Sequence, residues 1–229
     1  MTIGPIRRFH TPEGVVLLPP IICEDTPMEE HFADLGGGFS LVNLCRIEAL
    51  NEESRVLRHS LFYHGGYLEF GERTYLSIRD RLGARRATVE IDNWNKGLRQ
   101  ILGQDGARPP VEAMRAVVPF LKGNGYQAGG WNGRPELWGF IVDSAGDWHE
   151  LERLPANLLI DDRVLLWRTS VKAFPRGMKV NGSFQVFDSP DFRVPDDLQA
   201  RDGIFVDGRR IDRGWLHRAR ALFRRILQN

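Results

Sequence analysis

The chain has 229 residues, 42% of them hydrophobic and 27% charged, which excludes a disordered polymer and leaves room for one large domain or two small ones. A formal net charge of +1 excludes a whole-chain field that would draw the protein to polyanions, so any such affinity must come from local patches. No apolar stretch reaches the ~20 residues that span a bilayer and residues 1–8 carry no secretory signature, so the expectation is a cytoplasmic protein with no transmembrane segment.

Lys96, Lys122, Lys172 and Lys179 are the only lysines among 31 basic residues, so the positive charge is almost all arginine. Arginine offers a planar fork for carboxylates, phosphates and aromatic faces. Cys23 and Cys45 are too few for a disulfide framework and lack zinc-ligand spacing, which predicts two reduced interior thiols. No cofactor is indicated.

In chain order, Thr26, Pro27 and Glu29 form a capping-box start and predict a helix that ends at Gly36, Gly37 and Gly38. Residues 41–47 read as a buried strand. Residues 60–64 and 67–70 read as a hairpin closed by Gly65 and Gly66. Tyr75, Ile78 and Leu82 fall at helical spacing before Gly83, residues 87–91 suit a strand, and Asp92 is placed to cap a helix carrying Trp94, Leu98, Ile101 and Leu102. Residues 104–110 are the best boundary, and Pro110 opens a helix through Val117 and Leu121. The glycine-rich residues 123–133 read as a surface connector.

From Glu136 onward the pattern turns to β. Residues 137–143 and 148–151 flank a hairpin loop at 144–147, and residues 164–174 and 179–187 are further strands. Residues 204–206 and 209–211 enclose Asp207 and Gly208, the strongest turn signal in the chain. A helix is predicted over 213–228, and no internal repeat of 20–50 residues is read. The fold class expected is α+β: a mixed N-terminal half, an antiparallel β-rich C-terminal half and a closing amphipathic C-terminal helix. The corresponding regions are 1–103, a linker helix and connector over 104–133, and 134–229, unless all form a single domain.

Residues 209–229 carry the clearest functional pattern. Seven arginines stand against the single acid Asp212, a local charge of +6, beside an apolar stripe of Trp215, Leu216, Ala219, Leu222, Phe223, Ile226 and Leu227. Arg213, Arg218, Arg220, Arg224 and Arg225 are therefore candidate contacts to nucleic acid or to an acidic protein surface, with Trp131 beside the glycine-rich stretch as a candidate for base stacking. The alternative use of the stripe is packing on the protein's own core.

The remaining polar residues give weaker patterns. Glu90 and Asp92 share one strand face, Asp143 and Asp147 flank a hairpin, and His149 adjoins Glu150. His59 and His64 stand five apart, which suits neither a strand face nor a helix face as a metal pair. Phosphate-loop, nucleophile-elbow and metal-helix motifs are missing. The sequence reading is thus a non-catalytic component of a macromolecular assembly that contacts nucleic acid or another acidic partner through arginines. A small hydrolase or transferase using carboxylate and histidine residues near the glycine-rich loop is the alternative, so the question of enzyme or binding protein stays open.

Overall fold

The computed structural model describes residues 8–11, 14–17, 25–129 and 133–211. The architecture is α+β, and the chain divides into two compact units, Met1–Gly139 and Phe140–Asn229. No helix among the described residues is long and apolar enough to cross a membrane.

The first unit opens with a hairpin of β1 (Arg8–Thr11) and β2 (Gly14–Leu17). Its body is a five-stranded antiparallel sheet in sequence order: β3 (Glu29–Asp34), β4 (Ser40–Leu44), β5 (Arg73–Arg79), β6 (Arg85–Asp92) and β7 (Gly97–Leu102). Between β4 and β5 run α1 (Ile47–Leu57), a 3-10 turn (Ser60–His64) and α2 (Gly65–Glu69), and α3 (Val111–Gly123) follows β7. Leu44, Ala49, Leu50, Leu61, Leu68 and Tyr75 form one buried cluster, which seats α1 and α2 on the sheet face that carries Tyr75. The helix expected from Pro110 is α3, which packs on β5 and buries Ala113, Met114, Val117 and Leu121.

Three local expectations give way to sheet pairing, and a fourth to helix packing. The capping signals at residues 26–29 start no helix, because Glu29–Asp34 pairs along β4 and the ladder outweighs a local cap. Tyr75 and Ile78 sit on opposite faces of β5, and Leu82 stands 84% exposed in the following turn. Asp92 accepts the Trp94 amide at 3.0 Å, but this closes a tight turn into β7 and starts no helix, leaving Trp94 87% exposed. Gly65 and Gly66 build no hairpin; a Cβ on Gly65 would lie 2.4 Å from Ile47 Cδ1, so this glycine serves the close approach of α2 to α1.

The second unit overturns two expectations, the absence of a repeat and the antiparallel pairing. After the hairpin of β8 (Phe140–Val142) and β9 (Trp148–Glu150), the chain winds as a solenoid with coils of 20 residues. In one parallel sheet β10 (Leu159–Ile160), β12 (Lys179–Val180) and β14 (Gln199–Ala200) stack with Leu159, Lys179 and Gln199 in register. In the other, β11 (Val164–Trp167), β13 (Phe184–Phe187) and β15 (Ile204–Val206) stack with Val164, Phe184 and Ile204 in register. Inward-facing Leu158, Met178 and Leu198, then Ile160 and Val180, then Val164, Phe184 and Ile204 fill the core, where Phe174 meets Phe184 and Phe192 edge-on. Left-handed backbone recurs at the same step, at Arg168 (φ 49°) and Asp188 (φ 48°).

The turn at Asp207 and Gly208 forms as expected and joins β15 to the antiparallel β16 (Arg209–Arg210). The closing helix predicted over 213–228 lies outside the described residues.

Candidate binding groove and its buried polar layer

Alternation along β5 and β6 puts Arg73, Tyr75 and Ser77 and their neighbours Thr88, Glu90 and Asp92 on one sheet face. The register sets Tyr75 opposite Glu90 and Glu90 opposite Gln100, while Ser77 faces Thr88. A polar layer is thus laid across the strands on the face that carries Tyr75.

Two fully buried carboxylates organise this layer. Glu90 accepts hydrogen bonds from Tyr75 (3.1 Å), Gln100 (2.6 Å) and Arg73, and His64 Nδ1 lies 2.9 Å from its Oε1. Burial pushes the Glu90 carboxyl up, but the hydrogen bonds from Gln100 and Arg73 and the charges of Arg73 and His64 outweigh it and hold the group below the usual range. Burial also drives the Tyr75 hydroxyl upward, helped by the Glu90 charge.

Glu53, on α1, accepts Arg85 Nε at 2.7 Å and the Thr88 hydroxyl at 3.1 Å, and here burial wins and raises the carboxyl. Arg85 also reaches Glu29, which accepts Arg79 at 2.6 Å.

Thr88 carries the layer to His59. Its single hydroxyl hydrogen goes to Glu53, so its oxygen accepts from His59 Nε2 at 2.8 Å. The network therefore puts the imidazole proton on Nε2 and leaves Nδ1 as a bare acceptor. Burial holds His59 below its ordinary 6.5, against a smaller opposing pull from its own backbone. His59 Nδ1 and Ser54 Oγ are the two polar side-chain atoms among the described residues that are shut off from solvent with no hydrogen-bond partner. Each such orphan costs about 1–3 kcal/mol.

Both residues line one groove. The C-terminal turn of α1 brings them together: Ser54 O accepts the amides of Arg58 and of His59, the latter at 3.1 Å, with Arg58 in left-handed backbone at φ 53°. Asn51, Ser54, Arg55, Arg58, His59, Ser60, Phe62 and Tyr63 enclose an open space of about 650 Å³. The rings of Phe62 and Tyr63 lie 3.9 Å apart, with Tyr63 77% exposed. Arg55 pairs with Glu52 at 2.8 Å and Arg58 with Asp105 at 2.7 Å, both pairs on the surface.

Of the residues singled out from sequence, Arg213, Arg218, Arg220, Arg224, Arg225 and Trp131 lie outside the described residues. Glu90 and Asp92 do share a face, but Asp92 is committed to Arg99 at 2.5 Å and Glu90 to the cluster above. His149 Nε2 meets Asp143 Oδ2 at 2.8 Å across the β8–β9 hairpin, where Asp143 also accepts the amides of Ala145 and Asp147. Cys45 is a free thiol, half-buried where an interior position was expected, and Cys23 lies outside the described residues.

Sequence reading missed Glu53, Ser54 and Thr88, and treated His59 only as half of a histidine pair. The signal available was a glutamate and a serine on the apolar face of a helical stretch, beside Ala49, Leu50 and Leu57. Comparison of the chain with protein-family models, with curated proteins and with solved structures gives no match.

Proposed function

We propose that the protein is a non-catalytic component of an assembly containing single-stranded nucleic acid, and that the groove of the first unit is its contact. The observation that carries this reading is the rim, where the paired rings of Phe62 and Tyr63 stand beside Arg55 and Arg58. Base–aromatic stacking contributes about 1–3 kcal/mol per base and tolerates any sequence. Surface ion pairs such as Arg55–Glu52 and Arg58–Asp105 are worth only ~0–1 kcal/mol, so exchanging a carboxylate for a phosphate costs little. Arg213, Arg218, Arg220, Arg224 and Arg225 add positive charge to the same chain and are a second source of phosphate contacts in this reading.

Fluorescence-anisotropy titrations of short single-stranded oligonucleotides at several salt concentrations test it. Tyr63→Ala is expected to weaken binding at every salt concentration. Arg58→Gln, and Arg218, Arg224 and Arg225→Gln together, should flatten the log–log salt dependence by about 0.7 per lost phosphate contact. Wild-type protein that shows no salt-sensitive binding to any such oligonucleotide overturns the reading.

A further inference from the structure

We infer that the groove reads the edge of a nucleobase: His59 Nδ1 accepts a ring or amino N–H, Ser54 Oγ bonds the neighbouring polar atom of that edge, and the ring stacks on Phe62 or Tyr63. This inference rests on the nucleic-acid reading above and names what that site would recognise.

Native proteins pair their buried polar groups, so two unpaired atoms just beneath a single groove, on residues that line it, call for a ligand that supplies the partners. Their chemistry limits that ligand. The chain from Glu53 through Thr88 fixes the His59 proton on Nε2, so Nδ1 can only accept and the ligand must bring an N–H or O–H donor. Ser54 Oγ both donates and accepts, so it suits a carbonyl, a ring nitrogen or an amino group beside that donor. His59 is 95% and Ser54 97% buried, since they keep 5% and 3% of their exposure, and such shielding strengthens both bonds relative to water.

The flanking side chains add flatness and charge. Phe62 and Tyr63 offer π faces, and Arg55 and Arg58 offer guanidinium groups for the phosphate of the same nucleotide. A planar heterocycle with an N–H donor next to a second polar atom, carried on a phosphodiester, answers all of these features at once. Neither orphan touches solvent, so the base reaches them by parting the rim side chains.

The test compares oligouridylate with its N3-methyl form and oligoadenylate with its N6,N6-dimethyl form. Methylation removes the N–H donor and leaves the phosphates and the aromatic ring in place. Whichever parent oligomer binds more tightly should lose about tenfold on methylation, the loss of one net hydrogen bond near the upper end of its usual worth. Ser54→Ala keeps the helix intact and should lower affinity for the parent oligomer, because it removes the partner of the neighbouring polar atom. His59→Leu, which removes the Nδ1 acceptor, should abolish the difference between the two. Equal, salt-dependent binding of parent and methylated oligomers overturns the base-edge inference and leaves the nucleic-acid reading standing. Binding of neither oligomer overturns both.

Discussion

Thr88→Val tests the relay that fixes the His59 proton. Valine keeps the shape and strand preference of threonine but removes the hydroxyl that donates to Glu53 and accepts from His59. Glu53 loses one donor to a buried charge, worth about 1.5–3 kcal/mol, and His59 Nε2 becomes a third orphan at about 1–3 kcal/mol. Partial relaxation brings the expected loss to about 3 kcal/mol, or roughly 150-fold in the opening equilibrium.

Native-state hydrogen exchange of the β5 and β6 amides reads that equilibrium in the first unit within the full chain. The loss should depend on pH. Glu53 is raised above its ordinary 4.5, so the folded state takes up its proton more readily; the stability from that protonation is present at low pH and lost as pH rises through the folded value. A protonated Glu53 needs the missing donor less, and the Thr88→Val deficit should shrink as pH falls toward that value. Ser54→Ala is the control of opposite sign, since removing an orphaned hydroxyl from a helix should raise stability by about 1 kcal/mol. A Thr88→Val change below about 0.5 kcal/mol would refute the relay.

Other expectations follow from single features. His59 is held below 6.5, so its contribution is present above that value and lost as pH falls toward the folded value, with a slope of up to about 1.4 kcal/mol per pH unit; exchange measured in wild type and His59→Gln should diverge between about pH 7 and 5, and parallel curves contradict this. Arg58→Gly relieves left-handed strain and should stabilise α1 by about 1 kcal/mol while weakening oligonucleotide binding; a stability loss counts against the strain. Burial, reinforced by Glu30 and Glu29, pushes the Cys45 thiol up to about 11, so its alkylation at neutral pH should be roughly a hundredfold slower than in unfolded chain, and equal rates would refute the burial argument. A Cβ on Gly182 would lie 2.6 Å from Arg163 N in the preceding coil; Gly182→Ala should cost about 1–3 kcal/mol and deprotect the Phe184 and Val186 amides, and unchanged protection would contradict the coil spacing.

Some elements were legible because their signals are local. Pro110 before an apolar stripe marks α3, and Asp207 with Gly208 marks a two-residue hairpin turn, since both act through backbone geometry within a few residues. Elsewhere tertiary pairing overrode local preference. The Tyr75 and Ile78 spacing suits either period, and β6 decides it by pairing along β5.

The 20-residue coil was hidden because its matches are of chemical class. Pro155, Pro175 and Pro195 are identical, whereas Val164, Phe184 and Ile204, or Ile160, Val180 and Ala200, agree only in being apolar. Strands of two to four residues also fall below the length at which alternation becomes readable. The groove was illegible for a related reason. Glu53 meets Thr88, and through it His59, only after α1 folds onto β6, and no sequence spacing encodes that pairing.

Photocrosslinking tests most directly the proposal that the groove of the first unit holds nucleic acid. An oligomer carrying 4-thiouridine, irradiated with the full-length protein and followed by tryptic peptide mass spectrometry, reports the residues that face a base. The account predicts crosslinks on the peptide of residues 59–73, which carries Phe62 and Tyr63, lost in Tyr63→Ala. Crosslinks confined to residues 209–229, with none on 59–73, would contradict it.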